Sequence, residues 1–201
     1  MTLWVVVPVR PLAEGKSRLA PVLDADARRR LNERFLLTTL DIATAVVGPA
    51  RVLVVSRCAD ALALSRAAGV VTLRELGAGG LNAALRQGAA HLARRGATAL
   101  LVLPVDLPLA RPADLEALIR LSGRRPGVVI AGDRANTGTN ALVVRPPRAI
   151  RFRFGPHSRA AHLAEARRRG LRAALVSRPA LAFDVDTPAD YARLESRRGA
   201  V

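Results

Sequence analysis

Leu3-Trp4-Val5-Val6-Val7-Pro8-Val9 runs directly into Arg10-Pro11-Leu12-Ala13-Glu14-Gly15-Lys16-Ser17-Arg18. The first seven residues form a short apolar run, the pattern of a strand buried on both faces. The next nine turn polar and carry a glycine, a hydroxyl and three cations. Beyond them a helical pattern extends from about Ala25 to Val47, where Leu36, Leu40, Ala43 and Val47 recur at helical spacing. A strand that passes through a polar loop into a helix is the opening unit of an α/β chain.

The same alternation continues outward. Strands are expected at Arg51–Val55, Val70–Leu73, Ala99–Leu103, Val128–Ala131 and Ala141–Val144, and helices at Asp60–Ala68, Leu81–Arg94 and Pro112–Leu121. Right-handed crossovers then give a mostly parallel sheet with helices on both faces, and ligands in such sheets bind at the carboxyl ends of the strands. The last third departs from the pattern, with a loop at Gly132–Gly138, a helix near Ser158–Arg169, a strand at Leu171–Val176 and a closing helix from Pro188. No internal repeat, long linker or low-complexity tract interrupts the chain, so one domain over residues 1–201 is expected.

Composition narrows the function classes. A chain of 201 residues, half of them apolar, can bury roughly 70% of its unfolded surface around one aliphatic core. Cys58 is the only cysteine, which excludes an internal disulfide and a cysteine-rich zinc site and fits a reducing compartment. The first apolar run is too short for a membrane span and has neither a basic stretch before it nor a cleavage site after it, so a cytoplasmic protein without membrane partners is expected. A net charge of +16 raises the question of nucleic acid. The arginines, however, spread from Arg10 to Arg198, the runs Arg28–Arg30 and Arg167–Arg169 fall on helices, and aromatic residues to stack on bases are nearly absent. Solvated helix faces account for the charge, and no nucleic-acid partner is expected. Of the 32 basic residues a single one, Lys16, is lysine, which marks either a position that needs a compact ammonium or a chance surface residue.

Four constellations carry chemistry. Gly15-Lys16-Ser17 echoes a phosphate-binding P-loop, but that motif needs a glycine five residues before Gly15, where Arg10 stands; a polyphosphate remains the natural guest. Leu103-Pro104-Val105-Asp106-Leu107-Pro108 ends an apolar strand with one carboxylate in a rigid turn, a metal-ligand candidate or a capping residue. Phe183-Asp184-Val185-Asp186-Thr187-Pro188 is extended and is read as directing Asp184 and Asp186 to opposite sides, so that only one meets Asp106. Thr187 before Pro188 also reads as a helix N-cap. Gly138-Thr139-Asn140 and Phe154-Gly155-Pro156-His157-Ser158 are small-residue turns suited to a phosphate or carboxylate. His157 and His162 are ligand or base candidates, although exposed or internally satisfied histidines are the commoner case.

Taken in order, Pro11–Leu19, Leu81–Leu85, the Asp106 turn, Gly138–Leu142, Phe154–Ser158 and Asp184–Pro188 closely resemble the guanylyltransferases of coenzyme F420 biosynthesis, across almost the whole chain. The resemblance implies a single-domain glycosyltransferase-A-like nucleotidyltransferase fold. It further implies GTP as donor, Mg2+ as cofactor, and phosphoenolpyruvate, 2-phospholactate or 3-phosphoglycerate as acceptor. Residue by residue it implies Asp106 and Asp186 as magnesium ligands, with Asp184 the alternative to Asp186. Gly15, Lys16 and Arg18 would lie by the triphosphate, Gly79, Gly80 and Asn82 by the nucleoside, and Thr139, Gly155 and Ser158 by the acid's phosphate. Arg159 stands where the family often has an aromatic residue, which leaves the acid open.

The implied reaction is in-line attack of the acid's phosphate oxygen on the α-phosphorus of GTP with loss of pyrophosphate. A reactive diphosphate product would pass to a downstream transferase. Two other readings stay open: a sugar-phosphate or molybdopterin-type nucleotidyltransferase, disfavoured by Pro11-Leu12-Ala13-Glu14 before Gly15, and a basic RNA-binding module.

Overall fold

The computed structural model describes residues 2–77 and 79–198. Its centre is β1 (Leu3–Val9), buried along its whole length. Parallel to β1 lie β2 (Val52–Ser56) on one side and β4 (Ala99–Val102) on the other, and β3 (Val71–Arg74) pairs parallel with β2. The sheet continues through β6 (Thr139–Arg145), β5 (Gly127–Gly132) and β7 (Arg172–Val176), giving seven strands in the order β3-β2-β1-β4-β6-β5-β7.

Helices cover both faces, as the alternation requires. On one face α1 (Ala25–Val47), α2 (Ala59–Ala67) and α4 (Pro112–Ser122) pack Leu36, Leu40, Leu62 and Leu118 against Val5, Val7, Val54 and Leu101. On the other, α3 (Gly80–Arg94) and α5 (Ser158–Arg168) pack Leu85, Leu92 and Ala166 against Val6, Leu53, Leu100 and Ile130. The split follows from the two-residue period of a strand, which sends neighbouring side chains of β1 to opposite faces. Two short helical elements follow β7: α6 (Pro179–Ala182) and, after an extended stretch, α7 (Pro188–Arg198).

One strand departs from the parallel pattern. The chain returns from β5 to β6 through only the residues between Gly132 and Thr139, too few for a crossover, so β6 runs antiparallel to both β4 and β5. An apolar run has no direction in the sequence, whereas the short loop fixes it. The reversal brings the start of β6, with Thr139, to the same sheet edge as the carboxyl ends of the other strands. A third apolar cluster beneath that edge joins Leu19, Leu31 and Phe35 to Phe183, Val185 and Leu194, and so ties the loop after β1 to α7. Among the described residues, no helix is long and apolar enough to cross a membrane.

Candidate active site

The carboxyl ends of β1 to β4 open into a cleft of about 710 Å³. Its floor is the loop after β1, and its lining sets four cations, Arg10, Lys16, Arg18 and Arg57, among four carboxylates, Glu14, Glu75, Asp106 and Asp186, with Arg57 paired to Glu14 at 2.7 Å. The loop does not behave as a P-loop: Ser17–Leu19 makes a single 3-10 turn, and α1 starts only at Ala25. Asn32 of α1, buried among apolar neighbours, donates from Nδ2 to the Leu12 carbonyl at 2.7 Å and holds the loop down. Gly15 lies against the same amide, where an added Cβ would stand 2.6 Å from Asn32 Nδ2, so glycine is required for this close approach. Asn32 escapes motif reading, yet a signal was present, since it occupies the helical stripe of Leu36, Leu40 and Ala43 as a lone amide.

Lys16 is the centre of the charge arrangement. Its backbone is left-handed, at φ 58°, and its side chain is 7% exposed. A non-glycine residue in that region costs on the order of 1 kcal/mol, which is consistent with strain held at a functional position. The ammonium reaches Asp186 Oδ1 at 3.0 Å and Asp106 Oδ2 at 3.5 Å, bridging carboxylates from the two ends of the site. Both carboxylates remain accessible from the cleft, at 31% and 44% exposure.

The expected orientation of the two carboxylates in Asp184-Val185-Asp186 is corrected by the structure. Residues two apart on an extended chain share a face, so Phe183 and Val185 both enter the apolar cluster and Asp184 and Asp186 both turn toward Asp106. Asp184 is half-buried and titrates above the usual carboxylate range, chiefly through burial, then through the charges of Asp106 and Asp186; hydrogen bonds, including one from the Asn140 side chain, act the other way. Asp186 is the residue that Lys16 joins to Asp106. Its position is set from α7: Asp190 Oδ2 accepts the backbone N–H of Asp186 at 3.3 Å and of Thr187 at 3.0 Å, while Thr187 Oγ1 accepts the Asp190 N–H at 3.3 Å. That reciprocal pair is a capping box, with Thr187 as the cap. Burial pushes Asp190 up, but Arg134, the Thr187 hydroxyl and the two N–H groups outweigh it and hold the carboxyl at about 2.

Gly80, Leu81 and Ala84, at the start of α3, line the cleft opposite Lys16. Gly79 directly precedes them, whereas the Asn82 amide is fully engaged elsewhere: it accepts the Phe154 N–H and donates to the Phe154 carbonyl, both at 2.9 Å. Asn82 therefore clamps the Phe154–Ser158 turn to α3. That turn and the start of β6 form a second polar cluster at the same sheet edge, outside the lining of the main cleft. Gly155 takes φ 135°, Ser158 opens α5 and is buried, and Thr139 Oγ1 lies 3.0 Å from Nδ1 of buried His162. His157, at φ 56°, is exposed. Arg159 donates to the Asn136 carbonyl at 2.7 Å, joining the Gly132–Gly138 loop to α5.

The donor set at Asp106 and Asp186 suits a hard divalent cation that completes its shell with phosphate oxygens and water. Among the described residues no cluster of three or more His, Cys, Asp or Glu side chains forms an all-protein metal cage. A carboxylate pair beside a lysine and two arginines, at the carboxyl edge of a sheet of this order, fits a nucleotidyltransferase. The fold agrees: a nucleotide-diphospho-sugar transferase structure from Desulfovibrio desulfuricans superposes with a TM-score of 0.76 at 16% identity, covering 96% of this chain and 87% of that one.

Residues 3–195 match the family model described as "Guanylyl transferase CofC like", and the chain belongs to that family. It is 47% identical, over 99% of its own length and 96% of the relative's, to a phosphoenolpyruvate guanylyltransferase of Rubrobacter xylanophilus. It is also 39% identical, over 92% of its length and 86% of the relative's, to a 3-phospho-D-glycerate guanylyltransferase of Phenylobacterium zucineum.

Proposed function

We propose that this protein transfers GMP from GTP to the phosphate of a small phosphorylated acid and releases pyrophosphate, as a step of coenzyme F420 biosynthesis. The observation that carries the reading is the Lys16 ammonium between the Asp106 and Asp186 carboxylates, in the cleft that Arg10 and Arg18 also line. Joining two phosphates is opposed mainly by their mutual repulsion, and positioned cations and dipoles lower that barrier. The nucleophile is already an anion near neutral pH, so no general base is needed.

In this reading Arg10, Lys16 and Arg18 bind the triphosphate, the apolar wall at Leu81 and Ala84 faces the nucleoside, and Thr139, Gly155 and Ser158 bind the acid's phosphate. Asp106 and Asp186 would hold Mg2+, which when bound would neutralise and orient the phosphates. An oxygen of the acid's phosphate forms a bond to the α-phosphorus, the bond from that phosphorus to the bridging oxygen breaks, and pyrophosphate leaves with the electron pair. Phosphoenolpyruvate is the acceptor to expect, because the relative at 47% identity bears that name; 3-phosphoglycerate and 2-phospholactate are the competitors. The diphosphate product is reactive, which favours prompt use by a downstream transferase.

The test is pyrophosphate release from the purified chain with Mg2+ and GTP against each of the three acids, with a downstream transferase added to drain product. Release that depends on phosphoenolpyruvate supports the reading. Release with another acid reassigns the acceptor, and release with none, from folded protein, removes the reading.

A further inference from the structure

His162 is wholly buried in α5, and both of its ring nitrogens are engaged. The backbone N–H of Arg153 donates to Nε2 at 3.0 Å. A nitrogen that accepts a hydrogen bond carries no proton, so in the neutral ring the proton resides on Nδ1. Nδ1 lies 3.0 Å from Thr139 Oγ1, and its N–H therefore donates to that oxygen. Thr139 then has one lone pair occupied, and its own hydroxyl hydrogen is turned away from the ring. The ring itself is fixed by the edge of Phe154, whose centroid lies 4.8 Å away at 72°, and Phe154 is pinned at both its N–H and its carbonyl by Asn82.

We infer that His162 is a positioning residue for the acceptor: its Nδ1–H fixes the Thr139 hydroxyl as a donor to the phosphate of the phosphorylated acid. The inference rests on the functional reading above, in which Thr139 meets that phosphate. The chemistry is selective in sign. A hydroxyl free to rotate can present a lone pair to an anion, whereas one whose oxygen already accepts from an imidazole N–H presents its hydrogen. A burial that keeps the ring neutral preserves the tautomer, since an imidazolium would donate from both nitrogens and lose the Arg153 contact. His162 touches neither the nucleotide cleft nor the carboxylate pair. Its effect is confined to the acid.

Two substitutions separate the ring nitrogens. His162→Gln retains an oxygen able to accept from Arg153 but places no donor at the Nδ1 position, while His162→Asn places an amide N–H close to that position. With folding checked by circular dichroism, His162→Gln should raise the KM for the acid about tenfold, as expected for one hydrogen bond to a charged group, and leave the KM for GTP within about twofold. His162→Asn should restore most of the affinity for the acid. In a Thr139→Val background, His162→Gln should add no further rise, because the hydroxyl it acts through is gone. Long-range ¹H–¹⁵N spectra of the wild-type chain should show Nδ1 protonated and Nε2 bare. Independent, multiplicative effects of the two substitutions, an equal rise in the KM for GTP, or the opposite tautomer would each overturn the inference. Absence of acid-dependent turnover in the wild type would instead overturn the functional reading, and this inference with it.

Discussion

The backbone N–H of Val185 donates to the carbonyl of Asp106 at 3.1 Å. This one bond stitches the extended segment before α7 to the turn after β4 and sets their carboxylates side by side. The side chain of Val185 fills the apolar cluster below, so Asp184 and Asp186 turn to the other side, toward Asp106, and Asp186 lines the cleft. The carboxylate pair is therefore a product of core packing as much as of polar contacts.

Asp106→Asn and Asp186→Asn test that pair directly. Each keeps the side-chain shape and removes one anionic oxygen donor from a partly exposed position, so the fold should survive with a melting temperature within a few degrees of wild type. Turnover should fall on the order of 100-fold or more if these groups hold a catalytic cation. The measurement is kcat/KM across a Mg2+ titration; a folded Asp106→Asn protein with normal activity would remove the assignment.

Lys16→Arg preserves charge and changes shape. The ammonium fits between two carboxylates at a position only 7% exposed, and a planar guanidinium is wider and needs a different approach to each oxygen. A misplacement of about 1 Å can cost as much as 100-fold, so kcat should drop at least about tenfold while GTP binding persists. Wild-type kcat for the arginine variant would show that the lone lysine is incidental.

Gly15→Ala should damage the same loop without touching a charge. The added Cβ would sit 2.6 Å from Asn32 Nδ2, forcing apart the amide that holds the Leu12 carbonyl. Overpacking of this kind costs about 1–3 kcal/mol, and the KM for GTP should rise more than the KM for the acid. Thermal melts with and without GTP measure both effects.

Asp190→Ala removes the other half of the capping box and the ion pair with Arg134. A lost cap costs about 1–2 kcal/mol, and because Asp190 also accepts the Asp186 N–H, kcat should fall along with stability. Asp190→Asn, which keeps an acceptor oxygen, should recover part of the stability.

Much of this arrangement is legible in the sequence. Short apolar runs bounded by turn residues located β1 and the helical period of Leu36, Leu40 and Ala43 located α1, because burial imposes a period that survives in the sequence. The direction of β6 was not legible from its own residues, since an apolar run reads the same either way. The facing of Asp184 and Asp186 was open to the rule that residues two apart share a face, and Phe183 and Val185 carried the needed signal as the apolar partners of that alternation. Asn32 and Asp190 act on the site through backbone groups of other segments, Leu12 and Asp186, and such contacts leave little trace in residue type. Resemblance of ordered motifs supplied what periodicity could not, namely which of the polar turns belong together.

Acid should destabilise the protein earlier than carboxylate protonation alone would require. Burial lowers the pKa of His162 from 6.5 to about 4, with the nearby Glu165 charge opposing that shift. In the unfolded chain the ring takes up its proton near 6.5, so between that pH and about 4 the unfolded state binds more protons than the folded one. Stability is therefore fully present above pH 6.5 and declines as pH falls through this window, by at most about 3 kcal/mol. Below it the carboxylates of Glu165 and Asp190, both held at about 2 in the fold, add their own loss as the unfolded chain protonates first. The difference in bound protons sets the slope, and removing the ring should remove the His162 share of it. Urea midpoints measured from pH 7.5 to 4.5 should fall more steeply for the wild type than for His162→Asn, in which His91, also lowered by burial, leaves a smaller decline; parallel curves for the two proteins would show that His162 does not carry the dependence.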